Sequence, residues 1–540
     1  MVTSASHITD LPAEVLHNVF AWLDPASVLT SARVSRLFRD LIVGNGTLWR
    51  DVYLLKMDTP APVEGIEWEQ ETLDLIKLDT IFHSTTTQDV DLSQLEFVAN
   101  TCIRILSRAS HTNSLENLYS GSPSANVAYL QSLFGDGITG MAFLQQSGLF
   151  EHIRSGKTWY GRGVNTPGEI RRKRQLSAKL HVLYGQPILN YGRTRSCKTH
   201  PYAVSRVYDI RGFTEENRWG PWNNDGTVDW EKVEAINIVL GKNVKGRWPG
   251  GKIFDEVWDC PFGGAYRGAF VPKTEPDDDE LDDLDKRDPY GVSGSWYRIV
   301  CFLDYSDFFH FNFTTRNVPD SVAMPPLHAG EATRLIIMEV KVVRIEPPGP
   351  DDHPSWPVVH YEGESRSLDD IFDDNANSDL RAELSLVNKG TVRMTKGLDV
   401  RWTSVSVFDG QERWASEGVQ VGGPKSARGV LGTWFDRDHD PHGPAGPTAF
   451  WKARDQEDPR RALREGVRIV RGDPSWVGHL LGDDEDEGEE VGVEGMMVFE
   501  DDIEEDLGSM EEGEMDGLLE DQEREVADLA GGPGNGPSSS

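Results

Sequence analysis

Residues 8–54 read ITDLPAEVLHNVFAWLDPASVLTSARVSRLFRDLIVGNGTLWRDVYL, and their spacing decides the first part of the fold. Leu11-Pro12 opens a helix: a proline costs nothing in a first helical turn, and Glu14 sits where the helix dipole favours negative charge. Val15, Leu16, Val19, Phe20 and Leu23 recur at helical spacing and form one wide apolar stripe. Asp24-Pro25 is an N-cap followed by a first-turn proline, so a second helix starts there, with Val28, Leu29 and Ala32 as its buried candidates. Ser35 can cap a third helix carrying Phe38, Leu41 and Ile42, which Gly44-Asn45-Gly46 stops. Trp49 is expected in internal packing. Three such helices cannot bury all this apolar surface in one another, since a unit under ~50 residues is near the limit of independent stability. The leftover face needs cover from the rest of this chain or from another polypeptide.

Taken in order, Leu11-Pro12-x-Glu14-Val15-Leu16, Leu23-Asp24-Pro25, Val34-Ser35-Arg36-x-Phe38-Arg39 and Leu48-Trp49-Arg50 resemble an F-box over residues 8–54. That is the short helical module that docks a protein onto the Skp adaptor of a cullin-RING ubiquitin ligase. The resemblance implies that Leu11, Pro12, Leu16, Phe20, Val28, Leu29 and Val34 contact a Skp-type adaptor, and through it a cullin. It covers less than a tenth of the chain, and it speaks to attachment rather than to the target.

A chain of 540 residues predicts two to four domains. No apolar run approaches the ~20 residues that a membrane helix needs, and MVTSASHITD has neither the basic nor the apolar part of a secretory signal. The four cysteines, Cys102, Cys197, Cys260 and Cys301, lie far apart and form no CxxC pair. A cysteine-built zinc site is therefore not expected, and a reducing compartment, cytoplasm or nucleus, fits. Net charge is −35, but Asp483–Asp528 holds 23 acidic residues against Arg524 alone. The body is thus only moderately acidic, and nothing favours nucleic acid, which wants basic surface.

Beyond the head, residues 60–175 read as a helical support region, with Leu95, Val98, Cys102 and Ile105 making one stripe. Residues 176–455 read as a β-rich recognition domain. Val204–Ile210 alternates and predicts a strand, and Val233–Leu240 is a helix or a strand. Gly264–Val271, Gly294–Leu303, Phe308–Phe313, Thr333–Ile345, Val358–Tyr361, Gly390–Met394, Val400–Phe408 and Glu412–Val421 are strand-like runs separated by Gly, Pro and Asp. Short strands with regular turns predict an antiparallel barrel or sandwich. The expected class is therefore α+β multidomain: three-helix F-box, helical layer, β-barrel or sandwich. Residues 456–481 connect to an acidic tail over 482–540 that is expected to be disordered. Arg171–Arg174 is a short basic run at a solvated helix end, or a nuclear import signal.

Several pieces of residues 200–452 form a recognisable set: Tyr208-Asp209-Ile210-Arg211, Trp219-Gly220-Pro221, Gly294-x-Trp296, Val400-Arg401-Trp402, Glu417–Gly423 and Arg428–Lys452. Together with the head they resemble a class of fungal F-box proteins, which implies a non-catalytic substrate receptor for a protein target of unstated identity. The candidate recognition residues are Trp219, Trp222, His442 and Pro444, on loops of a β-scaffold. Two alternatives remain open. One is a small-molecule-binding barrel whose F-box-like segment does not dock. The other is a metal-dependent enzyme centred on DRDHDPH, 436–442, which needs a further His or carboxylate from a distant strand. No GxSxG elbow and no GxxxxGK[ST] loop is present, and no cofactor is expected.

Overall fold

The computed structural model describes residues 8–60, 65–83, 90–110, 124–135, 137–155, 168–191, 198–247, 258, 260–270, 282–314, 318–319, 322–367, 386–408 and 410–453. The connecting segment beyond residue 453 and the acidic tail, 482–540, lie outside them.

The head is built from α1 (Ala13–Ala21), α2 (Pro25–Ser31), α3 (Arg36–Ile42) and α4 (Gly46–Leu54). Its caps are those the sequence predicts. The Asp24 carboxylate accepts from the N–H groups of Ala26 and Ser27, both at 3.1 Å, and Ser35 Oγ accepts from Phe38 N–H at 3.1 Å. The head has a fourth helix that the three-helix expectation lacked. Asn45 does more than stop α3: its side-chain oxygen accepts from Leu48 N–H at 3.1 Å and caps α4. Leu16, Phe20, Val28, Phe38, Ile42, Leu48, Trp49 and Val52 form the head's own core, with Trp49 fully buried. Burying such side chains is worth ~1.5–3 kcal/mol each.

A helical layer follows: α5 (Trp68–His83), α6 (Leu95–Ser107), α7 (Ala125–Gly135), α8 (Ile138–Leu144), α9 (Gly148–Ser155), α10 (Gly168–Tyr184), α11 (His200–Tyr208) and α12 (Trp230–Arg247). Tyr53 on α4 meets Trp68 on α5 edge to face, ring centroids 5.5 Å apart, which joins head to layer. Inside the layer His181 Nδ1 and Glu234 Oε1 pair at 2.7 Å between α10 and α12, both fully buried. Arg172, Lys173 and Arg174 of the basic run pair with Glu96, Glu169 and Glu151.

The expected strand at Val204–Ile210 is instead the helix α11. Thr199-His200-Pro201 starts it, with proline in the first turn. Ala203, Val204, Val207 and Tyr208, three and four apart, are buried. Phe308–Phe313 is likewise helical, spanning α14 (Tyr305–Phe309) and a π-turn that follows it. Residues 264–270, expected as a strand, are turn and irregular chain. The helical layer thus runs on through Arg247, and the strands begin only at Gly294, after a short α13 (Asp283–Arg287).

Eight antiparallel strands close into a barrel in sequence order: β1 (Gly294–Leu303), β2 (Glu331–Glu346), β3 (Val358–Ser367), β4 (Leu386–Met394), β5 (Val400–Phe408), β6 (Gln411–Gln420), β7 (Val430–Asp436) and β8 (Ala445–Lys452). β8 pairs back onto β1, with Trp296 opposite Lys452. The period of two sorts the side chains. Tyr297, Ile299, Cys301 and Leu303 join the core shared with the helices. Trp296, Met338, Val340, Tyr361, Trp402 and Phe450 form a separate core within the barrel. Arg428, buried between β6 and β7, fastens the two layers: its guanidinium donates to the carbonyls of Tyr184 and Cys260 at 3.3 and 3.0 Å.

Candidate functional site

On α1 the apolar residues fall into two stripes rather than one. Leu16 and Phe20 face the head's core. Leu11, Val15, Val19 and Trp22, spaced four, four and three, are exposed, Trp22 to 78%. Val34, 70% exposed, and Leu37 add to the same kind of surface before and on α3. Nine of the seventeen large apolar side chains exposed among the described residues lie in residues 8–55. This concentration is what an unfinished interface looks like, because single exposed apolar residues are usually scattered.

The adaptor residues implied by the sequence divide accordingly. Leu11, Pro12 and Val34 are exposed, and Leu29 is half-buried. Leu16, Phe20 and Val28 are buried in the head's core, where Phe20 packs edge to face on Phe38 at 5.0 Å. Periodicity found the apolar positions but could not say which stripe α4 would cover. Val15, Val19 and Trp22 are surface residues that the sequence reading did not single out for contact.

The second set of candidates gathers at the barrel end where β7 hands over to β8. Trp219 stacks on His439, ring centroids 3.6 Å apart and planes 14° apart, and Thr433 Oγ1 donates to the Trp219 carbonyl at 2.9 Å. Trp219 and His439 both hold positive φ, 53° and 57°, a conformation that non-glycine residues keep only where the surroundings impose it. His442, exposed, lies 4.7 Å from the Phe313 ring and 6.2 Å from Phe309. Pro444 is half-buried beside it. Trp222 does not belong to this surface: it is 2% exposed and packed in the helical layer's core.

The residues of the DRDHDPH stretch close a polar turn among themselves. The Asp436 carboxylate accepts from Asp438 N–H at 2.9 Å, and the Asp440 carboxylate from His442 N–H at 2.9 Å. Among the described residues no group of three His, Cys, Asp or Glu side chains stands where it could hold a metal ion, and none of them brings a distant ligand to 436–442. No helix among them is long and apolar enough to cross a membrane.

The architecture defines an α+β protein in which a short helical head and a helical layer precede a closed eight-stranded barrel. The head is an F-box-like domain: the F-box-like family model matches residues 8–55. No curated protein and no solved structure matches the chain.

Proposed function

We propose that the chain is the substrate receptor of an SCF-type cullin-RING ubiquitin ligase. Its head holds a Skp-type adaptor and its barrel presents loops to a protein target. The observation that carries this reading is an F-box-like domain on which Leu11, Val15, Val19, Trp22 and Val34 are left exposed. The side chains that touch the adaptor in this reading are Leu11, Pro12, Val15, Val19 and Val34, with Leu16, Phe20 and Val28 shaping the surface from beneath. The receptor itself does no chemistry. It raises the effective concentration of target lysines beside the conjugating enzyme's thioester. The Trp219–His439 stack and the exposed ring of His442 are the candidate recognition surface, and the work is done in the cytoplasm or nucleus.

Purified full-length protein mixed with a Skp-type adaptor tests the reading. A stable complex should form at about micromolar concentration, and the double variant Leu11→Ala/Pro12→Ala should weaken it by about tenfold or more while the thermal midpoint stays put. Equal affinity of variant and parent, or no complex at all, would overturn it. Affinity capture with mass spectrometry on the same pair then separates adaptor-dependent partners from targets of the barrel.

A further inference from the structure

The opposite end of the barrel, where β1 begins and β6 and β8 finish, holds a cavity of about 220 Å³. Phe270, Trp296, Gln420, Ser426, Lys452 and the more exposed Lys425 are among the residues that line it. Two of these polar side chains are more than nine-tenths buried and, among the described residues, have no partner at the atom concerned. The Gln420 amide oxygen accepts from the Trp402 indole at 3.1 Å. An indole N–H can only donate, so the amide orientation is fixed and Nε2 is the donor left over. Ser426 Oγ is the second.

Lys452 supplies the charge. Its Nζ donates to the Gly291 carbonyl at 2.8 Å and stands 5.1 and 5.9 Å from the ring centroids of Phe270 and Trp296. An ammonium has three donors, and among the described residues no carboxylate pairs with it. The acids whose field reaches it, Asp285 and Asp288, are engaged elsewhere. Asp288 accepts from the N–H groups of Tyr290 and Val292 at 2.8 and 2.5 Å, and Asp285 from the Ser293 hydroxyl at 2.5 Å. Two residues further along β1, on the Trp296 face, buried Arg298 donates through Nε to the Thr448 hydroxyl at 3.2 Å and likewise pairs with no carboxylate among the described residues.

Buried polar groups are normally paired, and the acceptor that suits an amide N–H, a hydroxyl and an ammonium at once is an anion. The Lys452 ammonium, without a carboxylate of its own among the described residues, matches the single charge of a carboxylate. The space lies below the roughly 300–1,000 Å³ of sites for drug-sized ligands, which suits a single acid group on a small apolar body. We propose that this mouth binds a carboxylate-bearing molecule, the carboxylate on Lys452 Nζ, Gln420 Nε2 and Ser426 Oγ and an aromatic or aliphatic body against Phe270 and Trp296. The site stands independently of the adaptor reading. Its carboxylate comes either from a free acid or from a side chain of a peptide.

Burial lowers the Lys452 ammonium to about 8, with Asp288 and Asp285 opposing that and Lys425 adding to it. The Tyr290 phenol, which burial raises well above its usual range, stays neutral throughout. Anion affinity therefore falls as pH rises through the Lys452 transition. Calorimetric titration of the purified full chain decides the matter, with phenylacetate as the free acid, phenylacetamide as its neutral counterpart and a blocked Gly-Phe-Glu-Gly peptide as the side-chain source. At least one of the acids should bind with one site per chain, phenylacetamide should not, and Lys452→Met and Gln420→Leu should each weaken the acid by about tenfold. Affinity should drop between about pH 7 and about pH 9. If a variant fails to fold, as its thermal midpoint would show, the comparison with phenylacetamide and the pH profile of the unmodified chain decide alone. Phenylacetamide binding as tightly as the acid, an affinity flat over that pH range, or no saturation by either acid at about 10 mM would overturn the proposal.

Discussion

Asp58 organises more backbone than its place in a loop suggests. It is buried, and its carboxylate accepts from Ala125 N–H at 2.8 Å, Ser110 N–H at 3.0 Å and the Ser124 hydroxyl at 2.5 Å, while its own N–H donates to the Asn126 side-chain oxygen at 2.9 Å. It therefore caps α7 and holds the end of α6's connection at once. Asp58→Ala leaves those donors buried without an acceptor and should destabilise the chain by roughly 3 kcal/mol, read from urea unfolding. Glu231 makes the opposite kind of prediction. Burial, with Asp229 beside it, pushes its carboxyl up to about 7 from an ordinary 4.5, although Gly148 N–H donates to it at 2.5 Å. Between these two values the folded state binds the extra proton, so stability falls as pH rises through that window. Glu231→Gln stays neutral at every pH. Its thermal midpoint should match that of the parent below about pH 4.5 and exceed it by about 1–3 °C above about pH 7.

At the scale of elements, β4 and β5 approach too closely at Gly390 to leave room for a side chain. A Cβ on Gly390 would stand 2.0 Å from the Thr403 carbonyl oxygen and 2.6 Å from the ring of Tyr361. Tyr361, directly opposite on β3, lies over the glycine and donates its hydroxyl to that same carbonyl at 2.9 Å. An aromatic covering a strand glycine holds curvature and register together. Gly390→Ala must push β4 off β5 or displace Tyr361, and should cost about 2–4 kcal/mol with a loss of near-ultraviolet dichroism from the barrel tryptophans. An unchanged spectrum and unfolding curve would show that the strands have slack. The two helices read from sequence as strands, α11 and α14, share one cause. Each is a short β-branched or aromatic run whose local pattern suits a strand, and each takes helical form because its start signal, Pro201 for α11 and the Asp304 carboxylate accepting from Ser306 N–H at 2.8 Å for α14, fixes the first turn.

For the whole molecule, the division of labour follows from where the apolar surface is covered. The layer and the barrel share one core across α12, α11 and the outer faces of β1, β2, β7 and β8, whereas the head keeps a core of its own and a surplus of exposed apolar residues. Adaptor docking, in the function proposed above, should then be insensitive to the acidic end of the chain. Deleting 482–540 removes most of the net charge of −35 and should change adaptor affinity by less than about twofold at physiological salt, where charges more than about 8 Å apart are largely screened. A large loss of affinity on deletion would mean that the tail takes part in docking.

The sequence by itself determined the head's first three helices and the caps at Asp24 and Ser35, the helical character of the layer around α6, and the β-class of the region that forms the barrel. Those are local matters: a proline in a first turn, an aspartate before it, a period of 3.6 or of 2. It also located the F-box-like segment through residue order alone. Tertiary structure decided the rest. It closed the strands into a barrel rather than a sandwich by pairing β8 with β1, put Leu16, Phe20 and Val28 inside while leaving Val15, Val19 and Trp22 outside, sank Trp222, and stacked Trp219 on His439, 220 residues later in the chain. It also set Gln420, Ser426 and Lys452 around one cavity. The physical reason is the same in each case: periodicity states which residues are apolar on a face, but only the neighbour that arrives from elsewhere in the chain decides which face loses its water.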